Sequence, residues 1–359
     1  MIPRVDAALS LEALGWNEWF ASRAVRCGDA AFARVAAVDR DQLLLLGAPG
    51  FFRAKISGKF LHDAEAALQR PCVGDWVCVE KAANAPFGIV HAILDRQTAL
   101  RRKAPGGAVE HQMIAANVDV VVIVQSCDYD FNVKRLERYL VMVKDGGAVP
   151  AILLTKIDLA APDAVAAQIE EIRGAGITDS VLTVSNVTQQ GVDRLMGVLA
   201  PGRTYCFVGS SGVGKSTIIN ALVGRDVLAT RAVSGTGEGR HTTVRRELLL
   251  LDNGAMVIDN PGMREFGVLA AEGAIEAAYP DIRALASQCR FGDCTHTREP
   301  GCAVLEALAG GRIRREHYEN FVKLGKEFEH HRMSRVERRT QDKAFGRFLK
   351  SAKKDLDID

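Results

Sequence analysis

The stretch 209-GSSGVGKST-217 decides how the rest of the chain is read. It matches G-x-x-x-x-G-K-[ST], follows the apolar run 204-TYCFV-208 and opens the helical run 218-IINALVG-224, the strand–loop–helix setting that a phosphate-binding loop requires. Gly209, Gly212 and Gly214 can take backbone angles closed to other residues. Successive N–H groups and the following helix N-terminus can then point at phosphate oxygens. The whole run, Gly209, Ser210, Ser211, Gly212, Val213, Gly214, Lys215, Ser216 and Thr217, is the candidate phosphate cradle. Lys215 is placed to reach the β- and γ-phosphates and Ser216 to bind magnesium.

Working outward, apolar runs alternate with amphipathic segments from residue 118. The runs are 118-VDVVVIV, 149-VPAILLT, 181-VLTV and 204-TYCFVG, with helices expected near 132–144, 162–174, 191–199 and from 214. Continuous β-branched runs without in/out alternation indicate strands covered on both faces. Alternation with helices therefore predicts an α/β core with a mostly parallel sheet.

A phosphate loop alone does not choose between ATP and GTP. The choice falls to 155-TKID-158, at the end of the second of these runs, where ligand loops of parallel sheets sit. Asp158 can accept hydrogen bonds from guanine N1 and N2, which adenine cannot supply. Lys156 lays its stem along the base, and Thr155 stands where asparagine is commoner. In 183-TVSN-186, Ser185 and Asn186 can offer backbone contacts to guanine O6. The segment 255-AMVIDNPG-262 ends a further strand at Asp259, which can hold magnesium through water, with Gly262 free to approach the γ-phosphate. The loop 235-GTGEGRHTT-243 offers a threonine for the same metal, Thr243, with Thr242 as the alternative. Met263 lies where a water-orienting glutamine is common, and a thioether makes no strong hydrogen bond, so slow intrinsic hydrolysis is expected. The base box precedes the phosphate loop, the reverse of the ordinary order. Such a circular permutation keeps every strand-end loop on one side of the sheet.

Residues 31–95 carry five short apolar runs separated by turn signals, which predict a small β-barrel of the OB type. The barrel is either an RNA-binding module or an adaptor. At the other end, 289-CRFGDCTHTREPGC-302 sets Cys289, Cys294, His296 and Cys302 in the spacing C-x4-C-x-H-x5-C. Three thiolates and an imidazole suit one closed, structural zinc site, with iron as the competitor. The five other cysteines are scattered in strand-like settings and read as buried thiols. Residues 331–354 hold nine Lys/Arg against Glu337 and Asp342, a basic tail that either contacts phosphates or forms a solvated helix face.

The chain has 359 residues, 48% of them hydrophobic, with 46 Lys+Arg against 44 Asp+Glu. Three domains are expected: 1–103 a barrel with an N-terminal extension, 104–270 the nucleotide core, 271–359 a helical zinc-binding domain with its basic tail. No apolar run is long enough for a membrane helix and no signal segment opens the chain, so a cytoplasmic protein is expected. Nothing demands a dimer.

Together, 73-VGDW, 116-ANVD, 155-TKID, 209-GSSGVGKS, 239-GRHTT, 259-DNPG and the cysteine spacing resemble the small-ribosomal-subunit-dependent GTPase A family. The resemblance implies an OB-fold front domain, a circularly permuted P-loop GTPase core and a zinc-binding tail docking on the 30S subunit and its 16S rRNA. It also implies hydrolysis of GTP to GDP with Mg²⁺ and Zn²⁺ as cofactors, stimulated by the small subunit during its late assembly. The family's threonine-loop histidine falls on His241, which with Lys215 makes the candidate catalytic pair. A nucleotide-switched RNA-binding factor whose hydrolysis is incidental is the alternative, and an ATP-using P-loop enzyme a third.

Overall fold

The computed structural model describes residues 9–24, 27, 30–39, 42–63, 67–80, 85, 87–103, 111–224, 246–260 and 273–332. The first five strands are β1 (Ala31–Val38), β2 (Leu43–Gly47), β3 (Gly50–Ile56), β4 (Trp76–Glu80) and β5 (Gly88–Ile93). They pair in the order β1-β2-β3-β5-β4, and β4 returns to β1 in antiparallel register, Ala31 opposite Val79. Five strands closed in this order form an OB-like barrel. Its interior holds Ala33, Val35, Leu43, Leu45, Ala54, Val77, Val79 and Val90.

The second unit is the alternating region. Strands β8 (Val120–Ser126), β9 (Val149–Thr155), β10 (Ser180–Thr183), β11 (Thr204–Gly209) and β13 (Met256–Asp259) form a parallel sheet, β10-β9-β8-β11-β13. Helices α3 (Val133–Asp145), α4 (Pro162–Gly174), α5 (Val192–Val198) and α6 (Lys215–Val223) connect its strands. The continuous apolar runs are buried as their composition demands: Val121, Val122, Ile123 and Val124 are at most 3% exposed. Pro162 in the first turn of α4, where no N–H is needed, fixes that helix start.

Between the two units, β12 (Glu247–Leu250) runs antiparallel to β13 and also meets β1, with Ala37 opposite Glu247, so barrel and sheet share one hydrogen-bonded edge. Beside it lies an antiparallel hairpin, β6 (Ala99–Lys103) with β7 (His111–Ala116). Neither β12 nor this hairpin was expected from the sequence. Both are short, and the hairpin carries Arg101, Arg102, Lys103 and His111, which break any apolar period.

Arg34 joins the units. Although it sits in an apolar strand it is 1% exposed, and its guanidinium donates to the carbonyls of Leu14 (2.8 Å), Gly74 (3.2 Å) and Asn117 (2.6 Å) and to Thr204 Oγ1 (2.7 Å). Burial lowers its pKa to about 10, against the pull of Asp119 and Asp75, so it remains charged at neutral pH. The N-terminal extension is part of this joint. A short 3-10 turn (Glu12–Leu14) presents the Leu14 carbonyl, and Trp16, just before helix α1 (Glu18–Ala24), meets the buried Trp76 edge-on with ring centroids 4.9 Å apart.

The reading of all five scattered cysteines as free thiols needs one correction. Cys27 and Cys78 are joined as a disulfide, Cα atoms 6.0 Å apart, tying the end of the N-terminal extension to β4. Their separation of 51 residues hid the pairing from a reading of spacing. Cys72, Cys127 and Cys206 are free and buried.

Helices α7 (Ala274–Ala278), α8 (Pro280–Ala286), α9 (Ala303–Ala309) and α10 (Arg315–Arg332) form the C-terminal unit, docked on α3. The contact combines a buried apolar cluster, Leu136, Leu140 and Val143 with Ile275, Ile282 and Leu324 among others, with a polar network. His317 Nδ1 lies 2.6 Å from Glu137 and its Nε2 3.1 Å from Asp281, while Asn320 donates to Glu137 and to the Tyr279 hydroxyl. Arg138 grips Glu327 with two bonds of 2.8 Å. Burial by itself lowers the His317 pKa, but its bonds to Asp281 and Glu137 raise it to about 9. Residues 333–354 of the basic tail lie outside the described residues. Among the described residues no helix is long and apolar enough to cross a membrane.

Two outcomes are expected. Arg34→Ala leaves three carbonyls and a hydroxyl without their donor and opens a cavity, so it lowers unfolding free energy by about 3 kcal/mol in chemical denaturation. His317 is more basic folded than its ordinary value of 6.5, so its contribution is complete below pH 6.5 and is lost as pH rises through about 9. The thermal midpoint of the native chain should therefore fall between pH 7 and 9.5, and this fall should shrink in His317→Gln.

Candidate functional site

Four loops leave the same edge of the parallel sheet, the carboxyl ends of β9, β10, β11 and β13, where ligands of such sheets bind. Registers fix their relative heights: Ser126 stands beside Thr155, Thr183 beside Leu154, Gly209 beside Val124 and Phe207 beside Asp259. The sequence-predicted nucleotide-site residues that are described in the structure are thereby gathered along one edge.

In the phosphate loop, Gly209, Gly212 and Gly214 take φ of 147°, 84° and 96°. A Cβ on Gly209 would stand 2.2 Å from the carbonyl oxygen of Val124, so that close approach of β11 to β8 admits only glycine. Lys215 opens α6 and folds its ammonium back onto the carbonyls of Gly209 (2.8 Å) and Ser210. Burial lowers its pKa to about 8, with Asp259 and Asp130 opposing. Asp259, 2% exposed, has its carboxyl raised by burial and drawn down by Lys215, and its Oδ1 is buried without a hydrogen bond. A buried, orphaned carboxylate oxygen at a strand end beside a lysine is a place suited to a cation or an ordered water.

In the base box, Thr155 is fully buried and its Oγ1 donates to Val213 O at 2.6 Å, stitching the box to the phosphate loop. Lys156 takes a left-handed φ of 57°. Its ammonium lies 2.9 Å from Asp128 Oδ2 and 5.6 Å from the ring centre of the exposed Tyr129. Ser185 Oγ bonds Asp158 Oδ1 at 2.5 Å and accepts N–H bonds from Val187 and Thr188. The Ser185 hydroxyl, for which the sequence assigned no role, fixes the carboxylate that the box presents.

Asp128 was missed by sequence reasoning. Burial raises its carboxyl, but bonds from Ser126 and Lys156 and from the Asp130 N–H prevail and lower it, so it is an ionised partner for Lys156. The available signal was its position just beyond β8, at the same sheet edge. Asn260 and Arg246 were also missed. Arg246 donates to the buried Asn260 Oδ1 and to Met113 O, each at 3.0 Å, linking the loop after β13 to the hairpin. His241, Thr242, Thr243, Gly262 and Met263 lie outside the described residues.

The second centre is in the C-terminal unit. The ligand atoms of Cys289, Cys294, His296 and Cys302 all lie within 4.8 Å of one another. His296 Nδ1 is 3.5 Å from the sulfurs of both Cys289 and Cys302, and those sulfurs are 3.9 Å apart. A tetrahedron with metal–sulfur bonds of about 2.3 Å and a metal–nitrogen bond of about 2.0 Å has edges of about 3.8 and 3.5 Å; the three edges among Cys289, His296 and Cys302 match these, and Cys294 lies within 4.8 Å of the other donors, so the cluster could hold a metal ion. Tyr318 holds the carbonyl of His296 at 2.8 Å, which ties the cluster to α10.

Residues 93–269 match the family model described as RsgA GTPase. The chain is 41% identical over 331 residues to a protein of Opitutus terrae named small ribosomal subunit biogenesis GTPase RsgA, covering 89% of this chain and 90% of that one. Among solved structures it is similar to YjeQ from Thermotoga maritima, with a TM-score of 0.64 at 25% identity over 83% of this chain and 98% of that one. The fold is also that of YloQ, described as a circularly permuted GTPase, with a TM-score of 0.64 at 24% identity over 86% and 98% of the two chains. The permuted order of the loops agrees with that description, and the chain belongs to the RsgA GTPase family.

Proposed function

We propose that this protein hydrolyses GTP to GDP and phosphate, is stimulated by the small ribosomal subunit, and acts in the late assembly of that subunit through contacts with its 16S rRNA. The observation that carries the reading is the convergence of phosphate loop, base box, Ser185 loop and Asp259 on one sheet edge, in the permuted order, in a chain whose relatives are named for small-subunit biogenesis.

In this reading Gly209–Thr217 wraps the phosphates with backbone N–H groups, and Lys215 exchanges its carbonyl contacts for phosphate oxygens. Asp158, fixed by Ser185, accepts from guanine N1 and N2, while Lys156, held by Asp128, lies along the base. Thr155 keeps the box in register with the phosphate loop. Ser216, Thr243 and Asp259 are the residues for Mg²⁺, which when bound neutralises charge on the β- and γ-phosphates. Gly262 approaches the γ-phosphate and His241 assists the attacking water. The Cys₃His cluster takes one structural Zn²⁺, which with four protein donors leaves no open position for chemistry. We place the domain limits at 1–103, 104–270 and 271–359, and the protein in the cytoplasm as a monomer.

Purified protein should hydrolyse GTP slowly alone and many-fold faster with 30S subunits, leave ATP untouched, and lose its preference for GTP in Asp158→Asn. Turnover that 30S subunits fail to raise would overturn the ribosomal part of the reading. At the second centre, Cys294→Ser should abolish retained zinc by elemental analysis and expose α9 and α10 to proteolysis, because metal binding and local folding are linked there.

A further inference from the structure

Thr155 brings one donor to a position where an asparagine would bring two. Its hydroxyl is fully buried and faces two carbonyls, Val213 O at 2.6 Å and Gln125 O at 3.2 Å. No donor of this side chain is left for a base. The base box therefore holds the Watson–Crick edge of guanine through Asp158 but has nothing to offer the opposite edge, where N7 is an acceptor.

A second amide stands close by. Asn186 follows Ser185 on the loop after β10, and its Nδ2 reaches across to the phosphate loop, 3.4 Å from Gly214 O. A Cβ built on Gly214 would lie 2.9 Å from that nitrogen and would meet no other atom within 4 Å. The side chain is thus laid over Gly214, whose bare Cα, at φ 96°, makes room for it. The contact with Gly214 O is long and uses one of the two amide hydrogens. Turning the amide over would set its oxygen against that carbonyl, so the nitrogen is correctly the atom that faces the loop. Asn186 Oδ1 is buried and has no hydrogen-bond partner. The amide is incompletely satisfied at the seam between base box and phosphate loop.

The chemistry of a nucleotide places its edges. With the Watson–Crick edge at Asp158 and the phosphates along Gly209–Thr217, a base in the anti conformation turns its N7 toward the phosphate side, the side Asn186 spans. Within that turn the N–H groups of Val187 and Thr188 are both directed at Ser185 Oγ. The donors that remain are the backbone N–H and the side-chain amide of Asn186 itself.

We propose that the Asn186 side chain donates a hydrogen bond to N7 of bound guanine, supplying the contact that Thr155 cannot and making Asn186 a specificity-determining residue of the nucleotide site. The proposal rests on the guanine-nucleotide reading above and names a residue for an edge of the base which that reading leaves unrecognised.

Calorimetric titration of the full chain, with Mg²⁺ present, against GDP and 7-deazaguanosine diphosphate tests it, since the second ligand lacks only the N7 acceptor. Wild type should bind GDP about tenfold more tightly than the 7-deaza analogue, the worth of one hydrogen bond in a shielded site. Asn186→Ala should weaken GDP about tenfold and the analogue less than twofold; Asn186→Asp, which cannot donate, should weaken GDP at least as much. Equal weakening of both ligands would show that the amide only shapes the loop, and unchanged binding of both would show that it does not touch the base; either overturns the proposal. A wild-type chain that binds neither ligand would overturn the guanine-nucleotide reading itself, a result distinct from normal GDP binding that Asn186→Ala leaves untouched.

Discussion

A guanidinium taken wholly out of water must find its hydrogen bonds inside the protein, and Arg34 finds them on four different segments. Leu14 belongs to the N-terminal extension, Gly74 to the barrel, Asn117 to the connection into the sheet and Thr204 to the first residue of β11. A buried charge tolerates little displacement of its partners, because an unpaired one costs several kcal/mol. The two units are consequently fixed in angle as well as in proximity. The β1–β12 edge pairing follows from that placement, since β1 carries both Arg34 and Ala37.

That edge matters because β12 is also paired to β13 along its length, Glu247 opposite Asp259. The carboxylate expected to face the metal thus lies one hydrogen-bonded strand away from the barrel. Arg246, immediately before β12, reaches Asn260 immediately after Asp259 and the hairpin carbonyl of Met113. A load on the barrel or the hairpin would reach Asp259 and Asn260 through paired strands and the Arg246 bonds. Circular permutation allows this arrangement: it leaves the end of β13 as the exit toward the C-terminal unit and the start of β8 as the entry from the barrel.

Legibility followed the kind of force involved. Strands covered on both faces write themselves as apolar runs, so β8, β9, β10 and β11 fell within a residue or two of expectation, and five barrel strands were visible by their turns. The phosphate loop, base box and cysteine cluster were legible because steric and ligand demands fix residue type and spacing together. Interactions between distant segments leave no such trace. An arginine within AFARVAAV is an anomaly on sight, but its partners, spread from Leu14 to Thr204, are known only once the chain is folded. The same holds for Cys27 with Cys78, for His317 between Glu137 and Asp281, and for the Ser185 hydroxyl, which engages Asp158 of the base box.

The helix α3 joins these themes. Its N-terminal approach carries Asp128 and Asp130, the first holding Lys156 and the second opposing the burial of Lys215. Asn132 caps the helix by accepting from the Arg135 N–H, and Gln125 at the end of β8 is bonded to Asn132 in both directions, so the helix start is anchored to the sheet edge. One turn further on, Glu137 and Arg138 take the C-terminal unit through His317, Asn320 and Glu327. Nucleotide loops and metal-bearing unit are therefore fastened to neighbouring turns of one short helix. A change in how Lys156 or Lys215 is satisfied on nucleotide binding would bear on the same helix that positions the C-terminal unit, without passing along the chain between Asn260 and Gly273.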